Sequence, residues 1–294
     1  MSALIPFDDR DGFIWYNGAL VPWRDARIHV LTHGLHYGSC VFEGQRAYNG
    51  VVFKLKEHTE RLFFSARAMG ITIPYTEDQI NEAACAVLKA QGLADGYLRP
   101  VVWRGSEMMA VSAQHNKIHV AIAAWAWPSY FDPEVKRRGI KLDIARWKRP
   151  SPETAPCHAK AAGLYMICTL SKHEAEAKGY QDAMMYDYRG LVAEATGANV
   201  FFVKDDVLHT PTPDCFLNGI TRQTVIELAK TRQIAVVERA IRPDEMAGFS
   251  ECFLVGTAAE VTPVSEVGPY RFTPGRISLT LMDDYAGLVR AQKA

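Results

Sequence analysis

The stretch "TAPCHAKAAGLYMICTLSKHEAEAKG", residues 154–179, decides how this chain reads, because it carries a lysine in an unexpected setting. Lys160 stands among Ala159, Ala161, Ala162 and Gly163, just ahead of a segment with helical apolar spacing. Lysine is rarely buried unless something pairs with it or uses its chemistry. Two readings are open on this segment alone. Lys160 snorkels to solvent at a helix start, or it occupies a pocket of small residues with room for a planar, covalently held group. In the second case desolvation lowers the pKa of the amine and makes it a nucleophile able to form a Schiff base.

Outward from Lys160, strands and helices alternate. "IKLDIARW" (140–147), "AMMYD" (183–187), "NVFFVKD" (199–205), "IAVVER" (234–239) and "ECFLVG" (251–256) read as strands. "ITRQTVIELAKTR" (220–232) and "ISLTLMDDYAGLV" (277–289) read as helices, as does the segment after Lys160. Toward the N-terminus, Asn17-Gly18 and Asn49-Gly50 each sit between β-rich runs, the strongest short hairpin signal. Two helices follow, over "KEHTERLFFSARAMG" (56–70) and "TEDQINEAACAVLKAQG" (76–92), the second opening on a Thr76/Gln79 capping box. Strands "YLRPVVW" (97–103) and "IHVAIAAWAW" (118–127) come next. "PSYFDPEVKRRG" (128–139) breaks the pattern with two prolines and a run of charges. The expected organisation is a first domain over 1–127, a linker over 128–140 and a second domain over 141–294, both α/β or α+β. A small-molecule site is expected between them.

Composition narrows the function classes. The 294 residues carry 33 basic and 33 acidic side chains, so no global charge steers the chain to nucleic acid or membrane. Hydrophobic residues make up 48% and charged residues 22%, ordinary for a globular protein. "MSALIPFDDRDG" lacks the basic start and long apolar stretch of a signal peptide. "VAIAAWAW" (120–127) is too short to span a bilayer. Six scattered cysteines without a C-x-x-C read as free thiols in a reducing compartment, so a soluble cytoplasmic protein is expected.

Other segments are weak singly. "LNGITR" (217–222) turns into a helix whose first N–H groups, with the Thr221 hydroxyl, suit an anion, or it is an ordinary helix start. "VGTAAEVTPV" (255–264) runs a strand into small residues that admit a ligand to backbone N–H groups, or into a plain loop. Glu194, in "VAEATGANVFFV" (192–203), is a lone carboxylate that wants a cationic or proton-bearing partner, or is solvated in a loop. Tyr97 and Arg99 share one strand face, where a phenol and a guanidinium suit a carboxylate. His29, His33 and His36 lack acidic or thiol company at ligand spacing, so they read as structural and no metal site is expected.

In order along the chain, however, "LHYGSCVFEGQR" (35–46), "EHTERL" (57–62), "YLRP", "AKAAGLY" (159–165), "EATGANVF" (194–201), "LNGITR" and "GTAAEVTPV" resemble the branched-chain aminotransferase group of fold-type IV pyridoxal-phosphate enzymes. The resemblance covers essentially the whole chain. It implies a two-domain fold, a small α/β domain first and a large cofactor-binding domain second, and transamination of leucine, isoleucine and valine with 2-oxoglutarate. Lys160 would hold pyridoxal 5'-phosphate covalently and then move the proton between the substrate Cα and the cofactor C4′. Glu194 would pair with the pyridine nitrogen and Tyr165 would hydrogen-bond the ring's phenolic oxygen. Arg61, Ile220, Thr221 and Thr257 would hold the phosphate, with Gly197, Leu217 and Gly219 beside the cofactor. Tyr97, Arg99, Arg46 and the Thr257 and Ala258 amides would take substrate carboxylates. Tyr37, Phe42, Gly44, Met109, Val111, Trp127 and Tyr130 would wall the side-chain pocket. A homodimer or higher homo-oligomer is implied, with no nucleic-acid or membrane partner. Leu164 and Ala198 stand where many branched-chain enzymes carry Asn and Glu, which leaves open a relative acting on (R)-amines or D-amino acids.

Overall fold

The computed structural model describes residues 6–127 and 133–292. The described residues fall into two compact units, one made of 6–127 with 159–163 and 292, the other of 133–158 with 164–291. Among them no helix is long and apolar enough to cross a membrane.

The first unit opens with β1 (Phe13–Tyr16) and β2 (Ala19–Pro22), joined by the expected Asn17-Gly18 turn, both of whose residues take positive φ. A five-residue helix α1 (His33–Tyr37), β3 (Cys40–Phe42), β4 (Gln45–Tyr48) and β5 (Val51–Val52) follow. Asn49-Gly50 makes the second tight turn, again at positive φ. Helices α2 (Leu55–Ala68) and α3 (Glu77–Ala90) precede the long strands β6 (Gly96–Arg104) and β7 (Ile118–Trp125). The capping box forms as expected, since Gln79 N–H donates to the Thr76 hydroxyl while the Gln79 amide oxygen accepts from Thr76 N–H. The sheet runs β2-β1-β7-β6-β4-β5, with β3 also on β6, and every pairing is antiparallel. Leu62, Ala66, Ile80, Ala84 and Val87 are the buried stripes of α2 and α3.

The sequence places Lys160 in the second domain, but the structure packs 159–163 with the first unit. Val41 bridges Ala161, Phe42 N–H donates to the Lys160 carbonyl at 3.1 Å, and Lys160 N–H donates to the Ser65 hydroxyl at 2.9 Å. The segment thus satisfies its backbone on β3 and α2, pairings that sequence spacing cannot anticipate.

In the second unit a short helix α4 (Pro133–Arg138) lies inside the stretch read as a linker, held by Lys136 to Glu260 at 3.0 Å. Then come β8 (Ile140–Ile144), a 3-10 turn over Ala162–Tyr165 that leads into α5 (Met166–Ala177), β9 (Asp182–Tyr186), β10 (Val192–Ala195), β11 (Asn199–Lys204), β12 (Val207–Pro211), α6 (Ile220–Thr231), β13 (Val236–Arg239), β14 (Glu251–Gly256), β15 (Glu260–Val267), β16 (Tyr270–Arg271) and α7 (Arg276–Arg290). The strand path β10-β9-β8-β15-β14-β11 returns to β10, which closes a ring. Alternate residues Val200, Phe202, Cys252, Leu254, Val264, Ile140 and Leu142 fill one core. The residues between them, Phe201 and Phe253, are equally buried on the opposite face and stack at 5.2 Å. Burial on both faces explains why these strands read as continuous apolar runs.

Candidate active site

The first unit builds a charged cluster under Lys160. Glu43 follows β3 and is fully buried. Its carboxylate accepts from Arg61 Nε at 2.6 Å and Nη2 at 2.8 Å, and pairs with His58 Nδ1 at 2.8 Å. His58 and Arg61 lie three apart on α2, so both reach the same carboxylate. Burial alone would raise the Glu43 pKa, but Arg61 and His58 outweigh it and hold the carboxyl well below the usual carboxylate range. Burial, with Arg61 and Lys160 adding, depresses His58 against the pull of Glu43, so His58 is neutral at neutral pH. Lys160 is partly buried, with its Nζ 4.9 Å from the Phe42 ring centre. Desolvation and then Arg61 bring its pKa down to about 8, with Glu43 and Tyr97 pulling up and Arg99 pushing further down. About a tenth of the amine is therefore unprotonated at pH 7 and about half at pH 8, far more than for an ordinary lysine, as a nucleophile requires.

Four of the expected substrate-side residues share this unit's sheet. Tyr97 and Arg99 face the same way on β6, Arg99 donating to the Tyr97 hydroxyl at 3.3 Å and lying 4.8 Å from the Phe42 ring centre. Arg46 pairs with Tyr97 across β4 and β6, is 6% exposed, and lies over Tyr48. Trp127 packs on Tyr97 at 5.1 Å. Gly44 leaves the space that the Tyr97 hydroxyl occupies, since a methyl group there would overlap it. Arg99 also forms part of the wall of an apolar cavity of about 390 Å³, with Ile28, Leu35, Cys40, Trp103 and Ala162. Three other expected wall residues stand at the surface: Tyr37, stacked on His33, Met109, and Val111, which is 85% exposed. Tyr130 lies outside the described residues. The neighbouring histidines make internal bonds, His33 to the Ser39 hydroxyl and the Ala110 carbonyl, and His36 to the Val30 carbonyl.

The second unit gathers a different donor set. Glu194 is not in a loop but in β10, where it is 8% exposed and opposite Asn199 of β11. One carboxylate oxygen lies 3.3 Å from Arg149 Nε, and the other accepts from the Asn199 amide at 3.1 Å. Burial works against the Arg149 charge, but Glu194, with Cys168, Tyr165 and Cys157, raises its pKa and keeps it cationic. The Asn199 amide also donates to the Leu217 carbonyl at 3.0 Å and accepts from Gly219 N–H at 3.1 Å. That fixes the turn before α6, whose N-cap is Gly219 and so supplies no side chain to the first-turn N–H groups. Ile220 and Thr221 are buried there. Gly256 approaches Gly197 and Ala198 closely, which brings the Thr257-Ala258 turn up to the same motif, and Gly197 itself faces open space. Glu194, Gly197, Leu217, Gly219, Ile220 and Thr221 are therefore brought together, with Thr257 and Ala258 beside them.

This chemistry fits pyridoxal phosphate. A depressed lysine amine matches an aldehyde, a buried carboxylate held by a cation matches a protonated pyridine, and an uncapped helix start with a threonine hydroxyl matches a phosphate dianion. Arg61 fits less directly, because two of its guanidinium nitrogens are committed to Glu43.

The sequence profile described as Amino-transferase class IV matches residues 40–267 of this chain. This chain is a class IV aminotransferase. It is 46% identical over 272 residues to the branched-chain-amino-acid aminotransferase of Pseudomonas aeruginosa, covering 91% of this chain and 89% of that one. It matches the crystal structure of the Escherichia coli branched-chain amino acid aminotransferase with a TM-score of 0.93 at 36% identity, over 97% of both chains. The T.th. branched-chain amino acid aminotransferase, complexed with N-(5'-phosphopyridoxyl)-L-glutamate, gives a TM-score of 0.92 at 37% identity, over 97% of this chain and 96% of that one. The same enzyme has also been crystallised with 4-methylvaleric acid. The fold-type IV architecture expected from the ordered motifs is thus borne out.

Sequence reasoning missed Glu43, His58, Arg149 and Asn199 as site residues. Glu43 and His58 left a signal, being charged or titratable within the "VFEG" and "EHTERL" motifs. Arg149 left none, standing in "ARWKRP" beside Arg146 and Lys148 with nothing local to distinguish it.

Proposed function

We propose that this aminotransferase transfers the amino group of L-leucine, L-isoleucine and L-valine to 2-oxoglutarate, using pyridoxal 5'-phosphate bound at Lys160. The observation that carries the reading is the Lys160 amine, brought to about 8 by desolvation and by Arg61, on a segment of small residues. The names of the relatives and the two complexes of the T.th. enzyme, one with a glutamate adduct and one with a branched aliphatic acid, support a pocket that takes both kinds of side chain. Bound pyridoxal phosphate supplies an aldehyde carbon that accepts the amine and a ring that withdraws electrons from the substrate Cα. With the cofactor bound, Lys160 would be the base that holds and moves the proton of the substrate Cα. Glu194, beside the cationic Arg149, would hold the proton on the pyridine nitrogen. Tyr165 would donate to the ring oxygen. The first-turn N–H groups of α6, with Thr221 and Thr257, would hold the phosphate, and Arg61 would add positive charge. Arg99 and Tyr97, with Arg46, orient carboxylates, while Phe42 and Trp127 exclude water from the side-chain pocket.

The chain is proposed to act as a homo-oligomer in the cytoplasm. Val30, Leu31, Leu35, Tyr37, Met109 and Val111 are exposed, and His33 ties the two segments that carry them, an apolar patch of the kind that partner subunits cover. All six cysteines are free, as a reducing compartment keeps them. The test is a single-turnover donor panel followed by the visible absorbance of the cofactor. L-leucine, L-isoleucine and L-valine must bleach it and 2-oxoglutarate must restore it. Bleaching by D-alanine or an (R)-arylamine, with L-leucine inert, would sink the branched-chain assignment.

A further inference from the structure

We infer that Asn199 is a positioning residue that couples the two ends of the cofactor site, locking the carboxylate of Glu194 to the turn that starts α6. The inference rests on the functional reading above, which places Glu194 at the pyridine nitrogen and the α6 start at the phosphate.

The geometry of one amide carries it. Asn199 is 5% exposed and is the first residue of β11, fixed by backbone register between Glu194 of β10 and Val255 of β14. Its two N–H groups are divided between the Glu194 carboxylate at 3.1 Å and the Leu217 carbonyl at 3.0 Å. Its oxygen accepts from Gly219 N–H at 3.1 Å. An amide has two donors on one side and an acceptor on the other, and here both sides are used by groups assigned to opposite ends of one ligand. Aspartate in its place would set a second carboxylate against Glu194, and alanine would leave the 217–219 turn without its anchor. Gly219 is matched to this arrangement, because a methyl group there would collide with the Asn199 oxygen.

Such a bond network does more than stabilise a strand. The strand hydrogen bonds of β11 use backbone atoms, so the amide is not needed for the sheet itself. The cost of burying this polar group is offset only by what it holds. A residue that merely supports the fold affects both ligand ends through general loosening, whereas a coupler makes the loss at one end depend on the other.

The experiment measures, by calorimetry on the full chain freed of cofactor, the affinity for pyridoxal 5'-phosphate and separately for inorganic phosphate. The variants are Asn199→Ala, Glu194→Gln and the double substitution. Asn199→Ala is expected to weaken pyridoxal phosphate by on the order of tenfold to a hundredfold, the scale of a lost hydrogen bond to a charged group, and to weaken inorganic phosphate as well. Glu194→Gln is expected to weaken pyridoxal phosphate while leaving inorganic phosphate within about twofold. In the double variant the pyridoxal phosphate losses must fall well short of multiplying, because both substitutions act on the one contact between the Asn199 amide and the Glu194 carboxylate. If Asn199→Ala fails to unfold cooperatively, Asn199→Ser replaces it. Its short hydroxyl can keep one partner but not both, and the same pattern is expected. Wild-type phosphate affinity in the asparagine variant, or losses that multiply in the double variant, would overturn the coupling while leaving the functional reading intact. A wild-type chain that takes up no pyridoxal phosphate would overturn both.

Discussion

Replacing Glu43 by glutamine removes the carboxylate beneath Lys160 while keeping its shape, and the consequences follow from its contacts. Glu43 is fully buried, and one oxygen accepts from Arg61 Nε while the other meets Gly44 N–H, His58 Nδ1 and Arg61 Nη2. A glutamine can offer its oxygen to only one of these sets, so its amide N–H₂ must face at least one donor. The best orientation puts the amide nitrogen against Arg61 Nε and leaves a guanidinium buried without its counter-charge. Breaking a buried ion pair from one side costs about 3–5 kcal/mol, which for a chain of this size lowers the melting temperature by roughly 10 °C. The charge change also reaches Lys160. Glu43 pulls the amine pKa up and Arg61 pushes it down, so without Glu43 the value falls below about 8. The assay is thermal unfolding together with the pH dependence of Lys160 acylation in the cofactor-free protein, read by peptide mass spectrometry. Wild type is expected to reach half its maximal rate near pH 8, and Glu43→Gln at lower pH. A variant that melts within about 2 °C of wild type and titrates at the same pH would refute the reasoning.

Two further outcomes follow from buried contacts. Arg149→Met leaves Glu194 buried without its cation, at a cost of about 3–5 kcal/mol in denaturant unfolding, and the Arg149→Met/Glu194→Gln pair should recover most of it; a double variant no more stable than Arg149→Met would show that the pair is not the cause. Gly44→Ala drives a methyl group into the Tyr97 hydroxyl and should raise KM for both amino-acid and keto-acid substrates more than it lowers kcat, since the Tyr97–Arg99 contact is the casualty; unchanged KM values would remove Tyr97 and Arg99 from carboxylate binding.

What the sequence showed and hid divides by the range of the interaction. The Asn17-Gly18 and Asn49-Gly50 turns and the Thr76/Gln79 capping box are set by residues within a few positions of one another, so they were legible outright. The strand β15 is hidden from the sequence beyond the "GTAA" turn, since Pro263 is unusual in a central strand and, of the pairings that make it one, with β14 and β8, that with β8 joins distant segments. Glu194 read equally well as a loop residue because its strand spans only four residues, and the cation it wanted, Arg149, lies 45 positions away along the chain. Lys160 was conspicuous for its small neighbours, yet its fixed place on β3 and α2 comes from Val41, Phe42 and Ser65. The residues proposed to carry the chemistry are therefore named from sequence order, while the residues that contact them, Glu43, His58, Arg149 and Asn199, need the fold.

The central claim is that Lys160 is the amine that holds the cofactor. Incubation of the cofactor-free chain with pyridoxal 5'-phosphate, borohydride reduction and peptide mapping tests it directly. A phosphopyridoxyl group on Lys160, absent from Lys160→Ala together with transaminase turnover in a variant that still folds, is the expected result. Reduction that marks another lysine, or turnover that survives in Lys160→Ala, would contradict it.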